Sequence, residues 1–149
     1  MITLSKTLLD EIKNHCRDAY PEECCGALIG SLDVDLNRKR TLKILRIENE
    51  SKEDRHRRFS IQPEDYKNIE EYAKEEGLDL LGFYHSHPDH PAHPSDTDLK
   101  YAWPLFSYLI MSVMKGDPTQ IASFQLDLDS NQFEYEKLVL EEGHSDLVA

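Results

Sequence analysis

Two histidines separated by one residue lie in the segment His85-Ser86-His87-Pro88. In a β-strand, residues i and i+2 project from the same face about 7 Å apart along the backbone, so both imidazoles can converge on one metal ion. Pro88 is expected to end the strand because proline has no N–H to donate to a sheet. Both rings would then lie at the strand's C-terminal rim beside a loop, which predicts a metal site that a substrate can reach.

Asp98 offers a third metal ligand. Residues 95–98 begin a short predicted helix, and the proline-rich loop before it can fold this helix back over the strand end. Two neutral imidazoles and one carboxylate leave the fourth position of a tetrahedral zinc ion open for water, which is typical of catalytic zinc sites. Thiolate ligands are disfavoured because the sequence contains no CxxC motif.

Each of these patterns also has a purely structural explanation. An HxH pair by itself is common on the solvated face of a strand, and Ser95-x-x-Asp98 by itself has the outline of an N-terminal capping box. His90 and His93 alternate with prolines and are expected to be loop residues, not ligands. Cys16 and Cys25 are expected to be small buried hydrophobic residues without a nucleophilic role.

The composition limits the classes of function. With 149 residues, of which 39% are hydrophobic, the chain is long enough for one compact domain. Its 17 Lys and Arg against 29 Asp and Glu give a net charge of −12, which argues against nucleic acid as a partner. Either a halophilic source or a basic substrate surface would account for this acidity. No apolar stretch approaches the roughly 20 residues that span a bilayer, and three cysteines form no disulfide framework, so we expect a cytoplasmic protein.

Hydrophobic periodicity predicts the elements that must position these residues. Ser5 is expected to cap a helix over Lys6–Ala19, and Pro63 to begin a second helix that Gly77 stops. A short third helix is predicted over 95–102. Strands are predicted at 24–31, 41–48, 78–85, 106–114, 120–128 and 132–140, with a short extended piece at 59–61 and a charged loop at 50–58.

The order of these elements predicts an α/β (mixed α+β) domain with a mixed central β-sheet flanked by helices. The strand at 24–31 should be buried from both sides, and the one at 41–48 should have either a shift in phase or two covered faces. The last three strands are expected to form an antiparallel meander. Residues 141–149 are expected to be a flexible tail.

The joint spacing of these residues resembles a known signature. His85-Ser86-His87-Pro88, six residues, Ser95, two residues and Asp98 match HxHPx6SxxD, so the chain resembles the JAMM (MPN+) zinc metallopeptidases. Upstream, PEECCGALIG over 21–30 is similar to the P-x-E-x-C-G-x-L-x-G strand of small prokaryotic members. The FSIQP segment at 59–63 and the LGFY segment at 81–84 resemble that family's lead-in segments. The resemblance implies a single MPN-type, cytidine-deaminase-like domain over residues 1–140.

This resemblance also implies the role of each candidate residue. His85, His87 and Asp98 would bind one zinc ion per chain, Glu23 would act as general base and acid, and Ser95 would hydrogen-bond the developing oxyanion. Glu22 would not serve, because adjacent residues of an extended chain point to opposite sides. Relatives cleave amide or isopeptide bonds after the terminal glycine of ubiquitin-like proteins, so we expect a ubiquitin-like or sulfur-carrier protein with a Gly-Gly tail as substrate.

Two other hypotheses compete with a hydrolase. A zinc-binding MPN scaffold without turnover would require a blocked site, for example with His90 or His93 in the open zinc position. A zinc deaminase on a related sheet is disfavoured because its H-x-E and P-C-x-x-C elements are absent from the sequence. The sequence leaves the oligomeric state open.

Overall fold

The computed structural model describes residues 1–48, 61, 63–100 and 102–141. Over these residues the helices are α1 (Lys6–Ala19), α2 (Pro63–Glu75) and α3 (Asp96–Lys100). The strands are β1 (Ile2–Ser5), β2 (Cys25–Asp33), β3 (Arg38–Ile47), β4 (Asp79–Pro88), β5 (Ser107–Met114), β6 (Asp117–Asp127), β7 (Gln132–Glu136) and β8 (Leu138–Glu141). The predicted loop at 50–58, most of the extended piece at 59–61 and all but the first residue of the predicted tail lie outside the described residues. The domain boundary at residue 140 therefore stays a prediction.

The strands form one mixed sheet in the order β7-β6-β5-β4-β2-β3-β1-β8. β4 and β5 pair in parallel, whereas β5, β6 and β7 pair antiparallel as the predicted meander. A parallel pair needs a crossover connection, and the segment between β4 and β5 provides it and contains α3. The expected mixed sheet with flanking helices is confirmed.

The predicted strand at 132–140 is wrong as a single element. The chain forms β7 at one end of the strand order and β8 at the other, with only Lys137 between them. The Ile2 N–H donates to the Lys137 carbonyl at 2.9 Å, so β1, which the sequence did not predict, meets the chain at this crossing point. The sheet must curve until its two edges meet, because one residue cannot bridge a flat eight-stranded sheet.

Helices α1 and α2 cover opposite faces of this curved sheet. The apolar side of α1 buries Leu8, Leu9, Ile12 and Cys16 against β1, β4 and β5 side chains. α2 buries Ile69 and Ala73 against the other face, where Phe83 lies. Ser5 caps α1 as predicted, since its side chain accepts the Leu8 N–H at 3.1 Å.

Strand β2 lies at the centre of the fold between β3 and β4. Its residues contribute alternately to the two cores, with Cys25 and Ala27 facing α2 and Leu28 facing α1, which confirms the prediction of a strand buried from both sides.

The next strand, β3, has both features that were predicted as alternatives. Its two faces are covered, because Ile44 packs against the core on the α1 side and Leu45 and Ile47 belong to the core on the α2 side. It also has a shift in phase. The β2–β3 register shifts between Ile29 and Gly30, so Leu42 has no partner in the pairing.

Candidate metal centre and active site

Strand β4 brings the two histidines together as the HxH spacing predicted. Phe83, His85 and His87 alternate with residues of the α1 face and therefore lie on the α2 side of the sheet. The two imidazoles meet Nε2 to Nε2 at 3.0 Å. His85 is only 2% exposed, so these rings are not polar side chains on a solvated face.

Asp98, in the first turn of α3, places its carboxylate against both rings. Its Oδ1 lies 3.2 Å from His85 Nε2, and its Oδ2 lies 3.1 Å from His87 Nε2. Burial by itself raises the pKa of Asp98, but the neighbouring His85 and His87 together with the Ser95 N–H outweigh it and hold this pKa well below its usual range. The carboxylate is therefore ionised and available as a ligand.

The donor set fits a zinc ion. Ligand atoms of a tetrahedral zinc, at about 2.1 Å from the metal, are about 3.4 Å apart, slightly more than the three separations of 3.0 to 3.2 Å observed here. His87 Nδ1 lies 3.0 Å from the Pro91 carbonyl, which can only accept, so a neutral His87 ring carries its proton there. The lone pair of His87 Nε2 then faces a carboxylate oxygen, and a cation between the two atoms satisfies both.

Glu23 reaches the same site from the segment before β2. Its carboxylate and the ring nitrogens of His85 and His87 all lie within 4.8 Å of one another. Cys25 pairs with His85 in the sheet, and two more residues in this register bring Glu23 level with His87. Glu23 is 4% exposed, whereas Glu22 is half-buried, so the two neighbours differ as the alternation of an extended chain predicts.

Two carboxylates therefore adjoin the histidine pair. Asp98 contacts both Nε2 atoms, and the Glu23 carboxylate lies within 4.8 Å of a ring nitrogen of each histidine. The contact of Asp98 with both nitrogens is the geometry that a shared ion requires. Glu23 lies on the same face as the two rings, where its carboxylate can exchange a proton with a molecule bound beside them.

Ser95 lies at the entrance of the site and caps α3. The Asp98 N–H donates to Ser95 Oγ at 3.1 Å, and the Ser95 N–H donates to Asp98 Oδ2 at 2.8 Å. The predicted capping box is thus formed, and its carboxylate is the one that touches the histidines. The Ser95 hydroxyl accepts in this pair, which leaves its proton available to donate to a substrate oxygen.

His90 and His93 are loop residues, as expected. Both lie in the segment between the end of β4 and the start of α3. His93 Nδ1 lies 3.3 Å from the hydroxyl of Tyr135 on β7. The loop is fixed by its backbone, since the Ser112 hydroxyl donates to the His90 carbonyl at 2.5 Å.

The sequence did not predict two groups that hold residues of the site in place. The Pro91 carbonyl contacts His87, and Ser86 contacts Cys24, the residue after Glu23, but neither group belongs to the motif. Ser86 could have been found by the same alternation that pairs the histidines, since a residue between two ligands must point to the opposite face. The Pro91 carbonyl gives no signal in sequence, because any residue has a backbone oxygen.

Comparison with known proteins is consistent with this geometry. The family described as prokaryotic homologs of the JAB domain matches residues 5–127. A protein named desampylase from Haloferax volcanii is 35% identical over 117 residues, which cover 74% of this chain and 80% of that protein. A Salinibacter ruber protein solved in solution is 41% identical with a TM-score of 0.72, covering 96% of this chain and 93% of the other.

Further solved structures share the fold. A Desulfitobacterium hafniense protein is 33% identical with a TM-score of 0.81 over 95% of this chain and 94% of its own. A JAB1/MPN domain protein from Archaeoglobus fulgidus, 21% identical, has a TM-score of 0.58 over 95% of this chain and all of its own. The fold is thus of the JAB/MPN class. The chain belongs to the family of prokaryotic JAB-domain homologues and is a hydrolase of the JAMM type.

Among the described residues, no helix is long and apolar enough to cross a membrane.

Proposed function

We propose that this protein is a zinc-dependent peptidase that hydrolyses the amide or isopeptide bond after the C-terminal glycine of a ubiquitin-like or sulfur-carrier protein. One observation supports it above the others: a single carboxylate, Asp98, contacts both histidine nitrogens while a second, Glu23, lies nearby on the same face. Metal ligands and a separate acid–base group are the two components that metal-assisted hydrolysis needs.

In this proposal His85, His87 and Asp98 bind one zinc ion, which when bound supplies Lewis-acid activation of water and of the scissile carbonyl. The Glu23 carboxylate accepts the proton of the attacking water and later delivers it to the departing amine. The Ser95 hydroxyl donates a hydrogen bond to the oxygen on which negative charge develops. The buried setting of Glu23 strengthens its interactions relative to those in water.

The substrate class rests on the relatives. The Haloferax volcanii relative is named a desampylase, and this chain aligns with 80% of it. An extended Gly-Gly tail is a suitable substrate end, because glycines lack side chains and can lie flat in a narrow groove. A cytoplasmic location is part of the proposal and is supported by the three cysteines, all of which are free.

The test uses the full chain loaded with zinc and a ubiquitin-like or sulfur-carrier protein whose terminal glycine carries a fluorescent amine. We expect release of the amine by the wild type, no release by Glu23→Gln, and loss of activity with 1,10-phenanthroline that added zinc restores. Release that persists in excess chelator would reject the mechanism. Equal cleavage of unfolded casein at internal bonds would reject the specificity. Zinc binding without any turnover would instead identify a scaffold.

A further inference from the structure

Glu23 lies outside any helix or strand. It belongs to the short connection between the end of α1 at Ala19 and the start of β2 at Cys25. A carboxylate that exchanges protons has to be held within a fraction of an ångström of its working position. The position of Glu23 therefore depends on the contacts that fix this connection to the strand bearing the histidines.

Ser86 fixes the end of the connection nearest to Glu23. Its side chain, between the two histidines in sequence, points to the opposite face of β4 and is 1% exposed. The Cys24 N–H donates to Ser86 Oγ at 2.9 Å, and the Ser86 N–H donates to the Cys24 carbonyl at 3.0 Å. Ser86 thus binds the residue after Glu23 through both of its backbone groups.

Tyr20 fixes the other end of the connection. Its hydroxyl donates to Asp89 Oδ2 at 2.7 Å, just beyond the end of β4. Asp89 is itself held, because its Oδ1 accepts the Lys115 N–H and its own N–H donates to the Val113 carbonyl, both at 2.7 Å. The connection is therefore fastened on both sides of Glu23 to the β4 strand and the turn that follows it.

We propose that Ser86 and Tyr20 are positioning residues that set the distance between Glu23 and the histidine pair. We refer to the Ser86–Cys24 and Tyr20–Asp89 contacts as the Glu23 clamp. The inference rests on the proposed function for its kinetic consequences, but the positioning itself is a property of the folded chain. A displacement of about 1 Å at a catalytic group can cost 10²-fold in rate, so loosening the clamp should lower kcat.

The clamp is tested first without activity, by amide hydrogen exchange of the 15N-labelled full chain with and without zinc. In Ser86→Ala the Cys24 amide loses its acceptor, and we expect it to exchange at least about tenfold faster than in the wild type. The matched control is Ser123→Ala, which removes another buried serine hydroxyl. This hydroxyl donates to Glu136 across the β6–β7 pair, and β5 and β4 separate β6 from β2 in the sheet. Ser123→Ala should leave Cys24 exchange unchanged.

Kinetics then separate positioning from general stabilisation. We expect Ser86→Ala to lower kcat roughly tenfold or more, to change KM less than about twofold and to keep its zinc. Ser86→Thr retains the hydroxyl, and we expect its kcat to be close to that of the wild type. Tyr20→Phe removes an exposed hydrogen bond and should fold normally. Its control is Tyr66→Phe, which removes the exposed Tyr66–Glu70 bond of 3.1 Å and should have wild-type kcat.

The results decide the inference in each case. The inference is overturned if Ser86→Ala folds and has the kcat of the wild type, or if its Cys24 amide exchanges as slowly as in the wild type. It is also overturned if Ser123→Ala loses as much kcat as Ser86→Ala. If Ser86→Ala does not fold, Tyr20→Phe decides: faster Cys24 exchange supports the clamp, and behaviour identical to Tyr66→Phe overturns it. If the wild type cleaves no substrate, the proposed function fails, and the exchange measurements still decide the clamp.

Discussion

Ser95 and Asp98 hydrogen-bond each other in both directions at the start of α3, through 2.8 Å and 3.1 Å contacts between the side chain of each and the backbone of the other. The same Asp98 oxygen that accepts the Ser95 N–H also lies 3.1 Å from His87 Nε2. The carboxylate of the capping box is thus the same one that we propose as a metal ligand, and the start of α3 holds it against the histidines. The structural explanation of SxxD is confirmed, and the functional explanation stays a proposal for the same two residues.

Removing single ligands should empty the metal site without unfolding the domain. We expect His87→Ala and Asp98→Asn to lose most of their zinc, while His90→Ala retains it. Asp98→Asn keeps an oxygen for the Ser95 N–H, so its loss of stability should stay within about 1 kcal/mol, the usual scale of a helix cap. Metal analysis after dialysis and thermal unfolding test both statements. Full zinc retention in both ligand variants would refute the assignment.

Ser95 has two roles that a pair of substitutions can separate. Glycine at an N-cap costs only a few tenths of a kcal/mol relative to serine, whereas alanine costs about 1 kcal/mol. If Ser95 also donates to the developing oxyanion, Ser95→Gly and Ser95→Ala should both lose about 10²-fold in kcat although only the second loses the cap. Steady-state kinetics and unfolding measurements provide the comparison. A nearly wild-type kcat in Ser95→Gly would show that Ser95 caps α3 and has no role in catalysis.

Glu23 and Glu22 are adjacent, and only one of them faces the histidines. Glu23→Gln should keep the fold and the zinc yet lose on the order of 10²-fold or more in turnover, the scale of a positioned acid–base group. Glu22→Gln, at a half-buried position outside the group around the histidines, should be nearly silent. Turnover and zinc content of both variants are measured in parallel. A larger loss of turnover in Glu22→Gln than in Glu23→Gln would show that the assignment of the catalytic glutamate is wrong by one residue.

The sequence predicted local features of the fold better than its long-range pairing. α1 and its cap follow from a 3.6-residue period, and β2 follows from a run of small apolar residues, both of which are properties of neighbouring residues. β1 has only four residues, and its parallel partners β3 and β8 are far along the chain. The break at Lys137 has the same origin, since nothing between β7 and β8 signals that the sheet closes there.

The candidate site was predictable to the extent that its residues form a motif. The structure brings His85, His87, Asp98 and Glu23 together because β2 and β4 are neighbours in the sheet and α3 folds back over the end of β4. The orientation of Ser86 follows from the alternation along β4, but the partners of the supporting residues were not predictable, because the Tyr20–Asp89 and Ser86–Cys24 contacts join residues 69 and 62 positions apart. Such contacts depend on three-dimensional register, which no local pattern encodes.

A buried ion pair at the far end of the fold should control stability without affecting catalysis. Lys39 Nζ donates to Ser107 Oγ at 2.7 Å and to the Leu105 carbonyl at 2.8 Å, and it lies 3.9 Å from Glu136 Oε2. The two charged side chains are 5% and 1% exposed, and they join β3 to the end of β7, where the sheet closes. Lys39 pairs with Leu32, whereas Ile47, at the other end of β3, pairs with Cys25 near the histidines.

We therefore expect Lys39→Met to lose about 3 kcal/mol of the free energy of unfolding, because the buried Glu136 carboxylate loses its buried cation and keeps the more exposed Met1 ammonium at 3.6 Å. The matched control is Lys43→Met, which breaks an ion pair with Glu76 whose side chains are 44% and 41% exposed and should cost less than about 1 kcal/mol. Urea unfolding gives both values, and kcat per folded molecule should equal that of the wild type in each variant. Equal losses of stability in the two variants would show that burial does not make the Lys39–Glu136 pair more stabilising than an exposed ion pair. A reduced kcat in Lys39→Met alone would show that this pair is coupled to the histidine end of the sheet.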